Sequence, residues 1–384
     1  MNDRQKRVGI LMSGGVDSSV AALLLKEHGY ETIGVTLQLW DYESAASRPR
    51  GERGCCDITH QMDARFVCSQ IGIDHVTLDL RERFTERVVK PYERAYLEGI
   101  TPNPCVACNS QLKWGAVLEK AAALELDYIA TGHYARIEHT PDGPLLRKGV
   151  DLSKDQSYAL WQVPRDALAK TLLPLGDWNK VQIREKASQM KLRTALKPES
   201  QEVCFIPEHY GDYLRESYPD ETAEIGDGEI VDQQGRVVGR HNGFYAFTIG
   251  QRRGLDISDG HGPYYVTGID ATANRVVVGD RPALRRTGLV AAEVNWSSFD
   301  PPSEPQPCTV KIRYNDRGVP AWVVPSGNGT VEIRFEEPQI SVTPGQSAVW
   351  YRDDLVWGGG LIRKALKDEW TPPVDGVVSK GVEV

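Results

Sequence analysis

A strand-like run that passes through two glycines into a helix constrains the fold of this chain more than any other feature. Residues 8–12 (VGILM) are apolar, Ser-Gly-Gly follows at 13–15, and residues 18–28 have helical apolar spacing that ends at Gly29. A Gly-rich turn between a buried strand and a helix exposes backbone N–H groups at the positive end of the helix dipole. The stretch LMSGGVDSS therefore predicts a phosphate-binding loop in an α/β sheet.

The first half of the chain continues to alternate between the two patterns. Further strands are predicted at 32–40, 75–80 and 128–133, and further helices at 62–70, 82–98 and 111–126. Such alternation predicts parallel pairing and a doubly wound α/β sheet. Because ligands of these sheets bind beyond the carboxyl ends of the strands, SGGVDSS and TGHYAR are expected at one common edge.

From about residue 225 the pattern changes to short β-rich runs separated by Gly, Pro, Asp and Asn. These runs are GFYAFTIG, YYVTGID, NRVVVGD, CTVKIRY and TVEIRF, and the Pro-rich stretch 300–307 is typical of a loop. They predict a small β domain followed by an antiparallel β-barrel. The predicted domains are a nucleotide-binding catalytic domain (1–206), a small β-rich domain (207–280), a barrel (281–370) and a tail (371–384).

Composition narrows the class of protein. The 384 residues hold seven cysteines, an odd number that favours thiols with individual roles over a disulfide scaffold. No run of ~18 apolar residues and no signal-peptide core occurs, so we expect a cytoplasmic enzyme with no membrane contact. The net charge of −8 argues against a DNA-binding protein, and any nucleic acid must be bound by local basic patches.

Asp17 is unexpected in a phosphate loop, because a carboxylate repels phosphate unless a cation lies between them. We therefore expect Mg²⁺ bridged by ATP and Asp17, with no metal held by protein ligands alone. The Walker pattern and its lysine are absent from the sequence. Ser-Gly-Gly-x-Asp-Ser instead resembles the loop of the PP-loop ATP pyrophosphatases, which have an adenine nucleotide alpha hydrolase-like fold. This resemblance implies cleavage between the α and β phosphates and adenylation of an oxygen; a turn without ligand is the structural alternative.

Three cysteines are candidates for the chemistry that follows adenylation. Cys105 and Cys108 lie in TPNPCVACNSQLKW, and Cys204 lies in PESQEVCFI. Ser110 is predicted to cap the helix after the first pair, and a thiol near a helix N-terminus has a lowered pKa. Persulfide chemistry, an iron–sulfur cluster on the three cysteines and a zinc site with help from residues 55–56 all remain open. The other two cysteines, at 68 and 308, are expected to be structural.

The stretches SGGVDSS, ATGHYAR, KDQSYAL, FTIGQRRGL and TPGQSAVWY together resemble the tRNA-specific 2-thiouridylase family over about residues 7–365. That resemblance implies an enzyme that adenylates the C2 carbonyl oxygen of the wobble uridine in tRNA and replaces this oxygen with sulfur. It implies that Cys204 carries a persulfide and that Cys108 is the paired nucleophile. Several members of the family have Asp at the position of Cys105, so the role of this residue is open.

The resemblance also implies ligand contacts. The predicted ATP site comprises Leu11, Met12, Ser13, Gly14, Gly15, Val16, Asp17, Ser18, Leu37 and Gly132. The predicted tRNA and target-base contacts are Asn103, Pro104, Cys105, His133, Lys154, Asp155, Gln156, Arg313, Tyr314 and Gln346. Chemistry at C2 requires the base to leave its stack. The implied partners are tRNAs that accept Lys, Glu or Gln and a persulfide donor, either a cysteine desulfurase or a relay protein.

Two other classes fit parts of the sequence. An amide ligase of the same loop class would need neither Cys108 nor Cys204, and it usually has a glutaminase or an ammonia channel, of which the sequence has no signature. A noncatalytic RNA-binding or redox module would use Cys-x-x-Cys but would not need the phosphate loop.

Overall fold

The structure is a computed structural model that describes residues 5–40, 58–198, 205, 210–257, 262–370 and 372. Cys55, Cys56 and Cys204 lie outside these residues, as does nearly all of the predicted tail. Its helices are α1 (Val16–Glu27), α2 (Ile58–Ile71), α3 (Arg81–Phe84), α4 (Lys90–Leu97), α5 (Pro104–Ala107), α6 (Val117–Ala121), α7 (Arg165–Leu168), α8 (Lys180–Gln189), α9 (Tyr210–Ser217) and α10 (Pro219–Ile225). Two π-helical segments, Thr85–Val89 and Cys108–Ala116, join α3 to α4 and α5 to α6.

Seventeen strands are described in the same residues. They are β1 (Arg7–Leu11), β2 (Glu31–Gln38), β3 (Asp74–Asp79), β4 (Tyr128–Ala130), β5 (Ala135–Thr140), β6 (Gly143–Lys148), β7 (Thr171–Leu172), β8 (Gly228–Val231), β9 (Val237–His241), β10 (Tyr265–Asp270), β11 (Arg275–Gly279), β12 (Arg285–Trp296), β13 (Gln306–Lys311), β14 (Val319–Pro325), β15 (Val331–Ile340), β16 (Ser347–Arg352) and β17 (Leu355–Leu366).

The first region contains the doubly wound sheet that the sequence predicts. Its five strands are all parallel and follow the order β3-β2-β1-β4-β7. The interior strand β1 is almost entirely buried, as expected for an apolar run covered on both faces. Helix α1 buries nine of its twelve residues in the core on one side of this sheet. This burial fixes the start of α1 beside the carboxyl ends of β1 and β4.

The second region is a small mixed sheet followed by a closed barrel. The small sheet has the order β10-β11-β8-β9, in which only β11 and β8 pair in parallel. In the barrel, six antiparallel strands follow the order β12-β15-β14-β13-β16-β17, and β12 pairs with β17 to close the ring. Closure removes the unpaired edges of the sheet. The predicted fold class is therefore confirmed.

One hairpin crosses from the first region to the barrel. Strands β5 and β6 pair with each other, and β6 continues the barrel sheet through the pairing of Arg147 with Leu355 of β17. The Asp354 carboxylate binds the guanidinium groups of Arg136 and Arg147 at 2.6 and 2.7 Å. The sequence pattern did not predict this hairpin. Because the hairpin precedes residue 206 but joins the barrel sheet, the sheets do not divide the chain at residue 206, and that domain boundary stays a prediction.

Several sequence predictions need correction. GFYAFTIG is not a strand, because residues Phe244–Ala246 form a 3₁₀ turn that buries two aromatic rings in the core. The strand predicted at 128–133 ends at Ala130. The helix predicted from residue 111 begins at Pro104, so Ser110 lies inside it and does not cap it. Among the described residues, no helix is long and apolar enough to cross a membrane.

Candidate nucleotide and thiol site

The phosphate loop has the backbone geometry that its sequence predicts. Gly14 adopts a left-handed φ of +68°, and a Cβ on this residue would lie 2.2 Å from the carbonyl oxygen of His60. Gly15 is the N-cap of α1 but supplies no side-chain cap. A Cβ on Gly132 would lie 2.9 Å from the Ser18 nitrogen, so the end of β4 lies directly against the start of α1. Glycine is therefore required where three backbones meet around an open helix N-terminus.

The remaining loop residues lie where the predicted ATP site needs them. Leu11 ends β1, Met12 is buried beside it, and Val16 opens α1. The Ser18 hydroxyl lies 3.2 Å from both the nitrogen and the hydroxyl of Ser13, which holds the turn closed. Leu37 is buried near the carboxyl end of β2. The assignment of all these residues to ATP stays a prediction.

Asp17 is held by two groups from distant parts of the chain. The Lys180 ammonium lies 2.8 and 2.9 Å from the two carboxylate oxygens, and the Tyr134 hydroxyl donates to Oδ1 at 2.7 Å. Lys180 is the first residue of α8, which Asn179 caps through a capping box. Hydrogen bonds between charged groups are short and strong. The loop thus has a cation in place, although its sequence lacks the Walker lysine.

A second cationic contact lies beside the loop. Lys197 donates to the Gly14 carbonyl at 3.1 Å and to Asp63 at 2.8 Å, and Arg193 also binds Asp63 at 2.8 Å. Burial opposes ionisation of Asp63, but its hydrogen bonds with Lys197 and Arg193 and their charges outweigh this effect and lower its pKa. Two lysines from the end of the first region, Lys180 and Lys197, therefore converge on the phosphate loop.

The donor set fits a magnesium ion that arrives with a nucleotide. Mg²⁺ keeps several waters and takes one or two protein carboxylates together with substrate phosphates. Asp17 is one such carboxylate, and no group of three or more His, Cys, Asp or Glu side chains that could hold a metal occurs in the described part of the chain. Asp17 would hold the ion, while a cluster or zinc site would need ligands from outside the described residues.

The thiol helix, which we define as residues 104–121, carries Cys105 and Cys108 on its first turns. The Asn103 side chain caps it by accepting from the Cys105 nitrogen at 3.2 Å, and Pro104 occupies its first position. Cys105 is exposed and Cys108 is half-buried. The open N–H groups and dipole of a helix N-terminus favour a thiolate. The geometry therefore suits reactive thiols here, in contrast to Cys68, whose pKa burial raises to about 12.

His133 links the thiol helix to the end of β4. Its Nδ1 lies 2.6 Å from the Thr131 hydroxyl, and its ring packs 5.7 Å from that of Trp114 in the thiol helix. Burial, together with the nearby charge of Lys113, lowers the pKa of His133 well below its usual value near 6.5. The imidazole is therefore neutral at physiological pH. It can donate or accept a hydrogen bond, but it offers no positive charge for binding RNA.

The segment Lys154-Asp155-Gln156 is shaped by its own hydrogen bonds. The buried Asp155 carboxylate accepts from the nitrogens of Gly149 and Ser157 at 3.2 and 3.1 Å. The Gln156 amide oxygen accepts from the Tyr134 nitrogen at 3.0 Å, which ties the segment to the residue just before β5. Lys154 is partly exposed. Two of the three side chains thus shape the loop, and their predicted contact with RNA remains a prediction.

Two predicted RNA residues lie on the barrel surface. Arg313 and Tyr314 are exposed, the Arg313 guanidinium lies 3.3 Å from the Ile340 carbonyl, and the Tyr314 ring is 6.2 Å from that of buried Tyr158. Gln346 lies in a different loop, between β15 and β16. Its amide nitrogen contacts the segment just before the thiol helix, where the barrel and the first region meet. Of the three barrel residues, the structure thus brings Gln346 to the start of the thiol helix.

Family models match this chain over nearly its whole length. Three family models match successive parts of the chain: the tRNA methyl transferase HUP domain over 6–208, the tRNA methyl transferase PRC-barrel domain over 213–280 and the aminomethyltransferase beta-barrel domain over 286–362. The tRNA-specific 2-thiouridylase MnmA of Natranaerobius thermophilus is 46% identical over 363 residues, which are 94% of this chain and 98% of that protein. The chain belongs to the tRNA-specific 2-thiouridylase family.

Other 2-thiouridylases show the same extent of similarity. MnmA of Carboxydothermus hydrogenoformans is 46% identical over 367 residues, which are 94% of this chain and 99% of that protein. MnmA of Salinibacter ruber is 43% identical over 365 residues, which are 94% of this chain and 95% of that protein. The likeness therefore extends over all three regions, including the barrel.

Sequence reasoning missed several residues at this 2-thiouridylase site. Lys180 and Tyr134 hold Asp17, and Lys197 reaches the loop backbone. Lys180 is 163 positions from Asp17 in the sequence. Tyr134 could have been suspected because it follows Gly132 in TGHYAR, whereas nothing in the spacing of the two lysines indicates the loop. Cys204 lies outside the described residues, so its predicted meeting with Cys108 remains a prediction.

Proposed function

We propose that this protein is an ATP-dependent tRNA sulfurtransferase that converts the wobble uridine of tRNA to 2-thiouridine. The observation that supports the proposal is that one fold contains both a phosphate loop and a helix with two cysteines at its start. A phosphate loop with Asp17 lies at one end of the parallel sheet, and a capped helix presents Cys105 and Cys108. The 2-thiouridylase relatives, which match over 94% of the chain, support the same activity.

The first step is adenylation. The C2 carbonyl oxygen of the uridine attacks the α-phosphorus of ATP, and the bond to the β-phosphate breaks to release pyrophosphate. The open N-terminus of α1 and Lys180 stabilise the negative charge of the leaving group. Asp17 would hold a Mg²⁺ ion that arrives with ATP, and this ion would supply further neutralisation of the phosphate charge. Gly132 lets the chain that follows β4 lie directly against the start of α1 at the proposed nucleotide site.

The second step is sulfur transfer. A persulfide donor, a cysteine desulfurase or a relay protein, loads the Cys204 thiol. The terminal sulfur of this persulfide attacks C2, AMP leaves with the former carbonyl oxygen, and the base is joined to Cys204 through two sulfurs. The Cys108 thiolate then attacks the Cys204 sulfur, which releases the thiolated base and leaves a disulfide between the two cysteines. An external dithiol reduces this disulfide for the next cycle.

RNA recognition uses the surface around the thiol helix. Asn103, Pro104 and Cys105 flank the everted base, and His133, Lys154, Asp155 and Gln156 contact the surrounding nucleotides. On the barrel, Arg313 pairs with phosphate, Tyr314 stacks and Gln346 faces the same RNA. The exposure of Arg313 and Tyr314 supports this assignment. The substrates are wobble-uridine tRNAs of the Lys, Glu and Gln acceptors.

The test is nucleoside analysis of tRNA incubated with the protein, ATP, Mg²⁺ and a persulfide donor. We expect 2-thiouridine, and no product without ATP. Asp17→Ala should abolish AMP formation but retain tRNA affinity, because the proposed RNA contacts lie elsewhere. The absence of 2-thiouridine from tRNA under these conditions would refute the proposal, and so would AMP formation that is unchanged in Asp17→Ala.

The cysteines give a separate test of the sulfur route. Cys108→Ser and Cys204→Ser should each stop thiolation while AMP formation persists, and Cys105→Ser should have a mild effect. An iron–sulfur cluster on Cys105, Cys108 and Cys204 would instead make all three substitutions severe and the anaerobic protein brown. Colourless anaerobic protein that is active with a persulfide donor supports the route proposed here.

A further inference from the structure

The turn that leads into β16 is built to contact the segment before the thiol helix. Gly345 has a φ of +90°, and a Cβ on it would lie 2.4 Å from Ile100 Cγ2 and 2.7 Å from the Thr101 carbonyl oxygen. The Thr101 nitrogen donates to the Pro344 carbonyl at 3.1 Å. The two backbones are therefore so close that only glycine fits between them.

Gln346 completes this contact with its side chain. Its amide nitrogen donates to the carbonyl oxygens of Thr101 and Pro102 at 3.0 and 3.1 Å. A primary amide has two N–H groups, so these two bonds use its full donor capacity. Gln346 is itself anchored, because its backbone oxygen accepts from the Ile362 nitrogen of β17 at 2.8 Å. The Gln346 side chain thus adds to the backbone contact between the barrel and the segment before the thiol helix.

The bound carbonyls immediately precede the thiol helix. Residue 103 caps that helix and residue 104 is a proline, which leaves little backbone freedom between the bonds from Gln346 and the first cysteine. A shift at Thr101 or Pro102 is therefore passed on to Cys105 and Cys108. We propose that Gln346 is a positioning residue, whose amide group sets the place and reactivity of the two cysteines from the barrel.

The predicted effect on kcat rests on the proposed sulfur transfer. The predicted effect on the reactivity of the two thiols does not depend on it. Gln346→Met keeps the length of the side chain and removes both N–H groups. We expect the iodoacetamide alkylation rates of Cys105 and Cys108 to change about threefold or more in protein without RNA or ATP. We also expect kcat for thiolation to fall about tenfold to a hundredfold, because small misplacements of reacting groups are costly. The KM for tRNA should change less than kcat, because the proposed role of the two N–H groups is to hold the thiol helix in place.

Two further variants make the test specific. Gln346→Lys restores N–H donors and should return the alkylation rates and kcat toward the wild-type values. Gln339→Met removes a similar bond, from the Gln339 amide to the Glu337 carbonyl at 2.7 Å on β15, and it should leave both unchanged. Gln346→Glu keeps the shape but offers no amide donor, and it replaces Gln346→Met should the latter fail to fold.

The outcomes separate the alternatives. Unchanged alkylation rates together with a raised KM for tRNA would overturn the proposal and make Gln346 an RNA contact only. A loss of thermal stability that Gln346→Lys does not restore would make its role merely structural. Altered thiol reactivity in a protein that forms no 2-thiouridine would support the positioning role and refute the proposed function instead.

Discussion

At the residue scale, the decisive contact is the one between Asp17 and Lys180. The lysine side chain is largely buried, with 12% of its surface exposed, and it contacts both carboxylate oxygens. In the proposed nucleotide site, the phosphates of ATP would be a second anion for this ammonium to bind. Lys180 therefore has a role that neither its sequence position nor the motif of the loop indicates.

Lys180→Met should reduce AMP formation in the presence of tRNA by about 10- to 100-fold, because a hydrogen bond to a charged group contributes ~1.5–3 kcal/mol. The matched control is Lys186→Met on the same helix, where Lys186 binds exposed Glu27 at 2.8 Å. The assay is the rate of AMP release from labelled ATP. Equal rates in the two variants would remove Lys180 from the nucleotide site.

The partly buried imidazole of His133 predicts a pH dependence of stability. Burial lowers its pKa in the folded protein, whereas the unfolded chain takes up a proton near pH 6.5. Because the unfolded state binds more protons in acid, stability is retained above about pH 6.5 and falls below it, by up to about 1.4 kcal/mol per pH unit for this group.

His133→Gln should flatten this slope between about pH 6.5 and 5, a window that begins at the unfolded-state pKa of histidine. Urea unfolding at several pH values measures it. His139→Gln serves as a comparison, because His139 is exposed on β5. An identical slope in the His133 variant and the wild type would contradict the argument.

At the element scale, the segment Ser157–Leu160 joins the thiol helix to the barrel. The Tyr158 hydroxyl donates to the Ser347 carbonyl at 2.8 Å, and the Trp161 ring nitrogen donates to the Ser347 hydroxyl at 2.9 Å. On its other side, the Asn109 amide of the thiol helix donates to the Ala159 carbonyl at 2.8 Å. The elements are thus held together by buried polar contacts as well as by apolar packing.

Ser347→Ala should lower the free energy of unfolding by about 1–3 kcal/mol, because it leaves the buried Trp161 N–H without its acceptor. Ser326→Ala removes an exposed hydroxyl contact to Thr330 at 2.9 Å and should have little effect. Denaturant unfolding with a fixed m-value measures both. A Ser347→Ala protein as stable as the Ser326→Ala protein would show that the Trp161 contact contributes no stability.

The same scale shows what a sequence pattern can and cannot predict. Helix α1 and the parallel strands were predictable because apolar periodicity reports burial directly. The strand predicted at GFYAFTIG was wrong because a tight turn buries its aromatic residues. Composition alone does not distinguish such a turn from a strand. The helix start at Pro104 was missed because Asn103 and Ser110 are both good caps, and only the tertiary contacts of Ser110 with Gln162 decide between them.

At the scale of the whole molecule, an acidic protein must offer RNA a local basic surface. The net charge is −8, and the exposed Arg313 beside exposed Tyr314 on the barrel is the predicted counterpart of a phosphate and a base. The class of fold followed from the sequence, and family resemblance indicated the RNA residues. The convergence of Lys180 and Lys197 on the phosphate loop did not follow, since no local pattern links residues so far apart in the chain.

Arg313→Ala should weaken tRNA binding and reduce the slope of log affinity against log salt by about one phosphate contact. ATP affinity should stay unchanged. Arg215→Ala, which removes a surface ion pair with Asp212 on α9, is the control for a general loss of positive charge. Filter binding at several salt concentrations gives the slopes, and equal slopes for wild type and Arg313→Ala would remove this residue from the interface.

The hairpin of β5 and β6 has a consequence for biosynthesis. A ribosome completes residues 135–148 long before it reaches Leu355, the barrel residue that pairs with Arg147. Until then the outer edge of β6 lacks its pairing at Arg147, and arginines 136 and 147 lack their shared carboxylate partner. The nascent chain must therefore keep this edge from pairing with neighbouring chains while about two hundred further residues are translated. A gene cut at residue 206 would make that temporary exposure permanent.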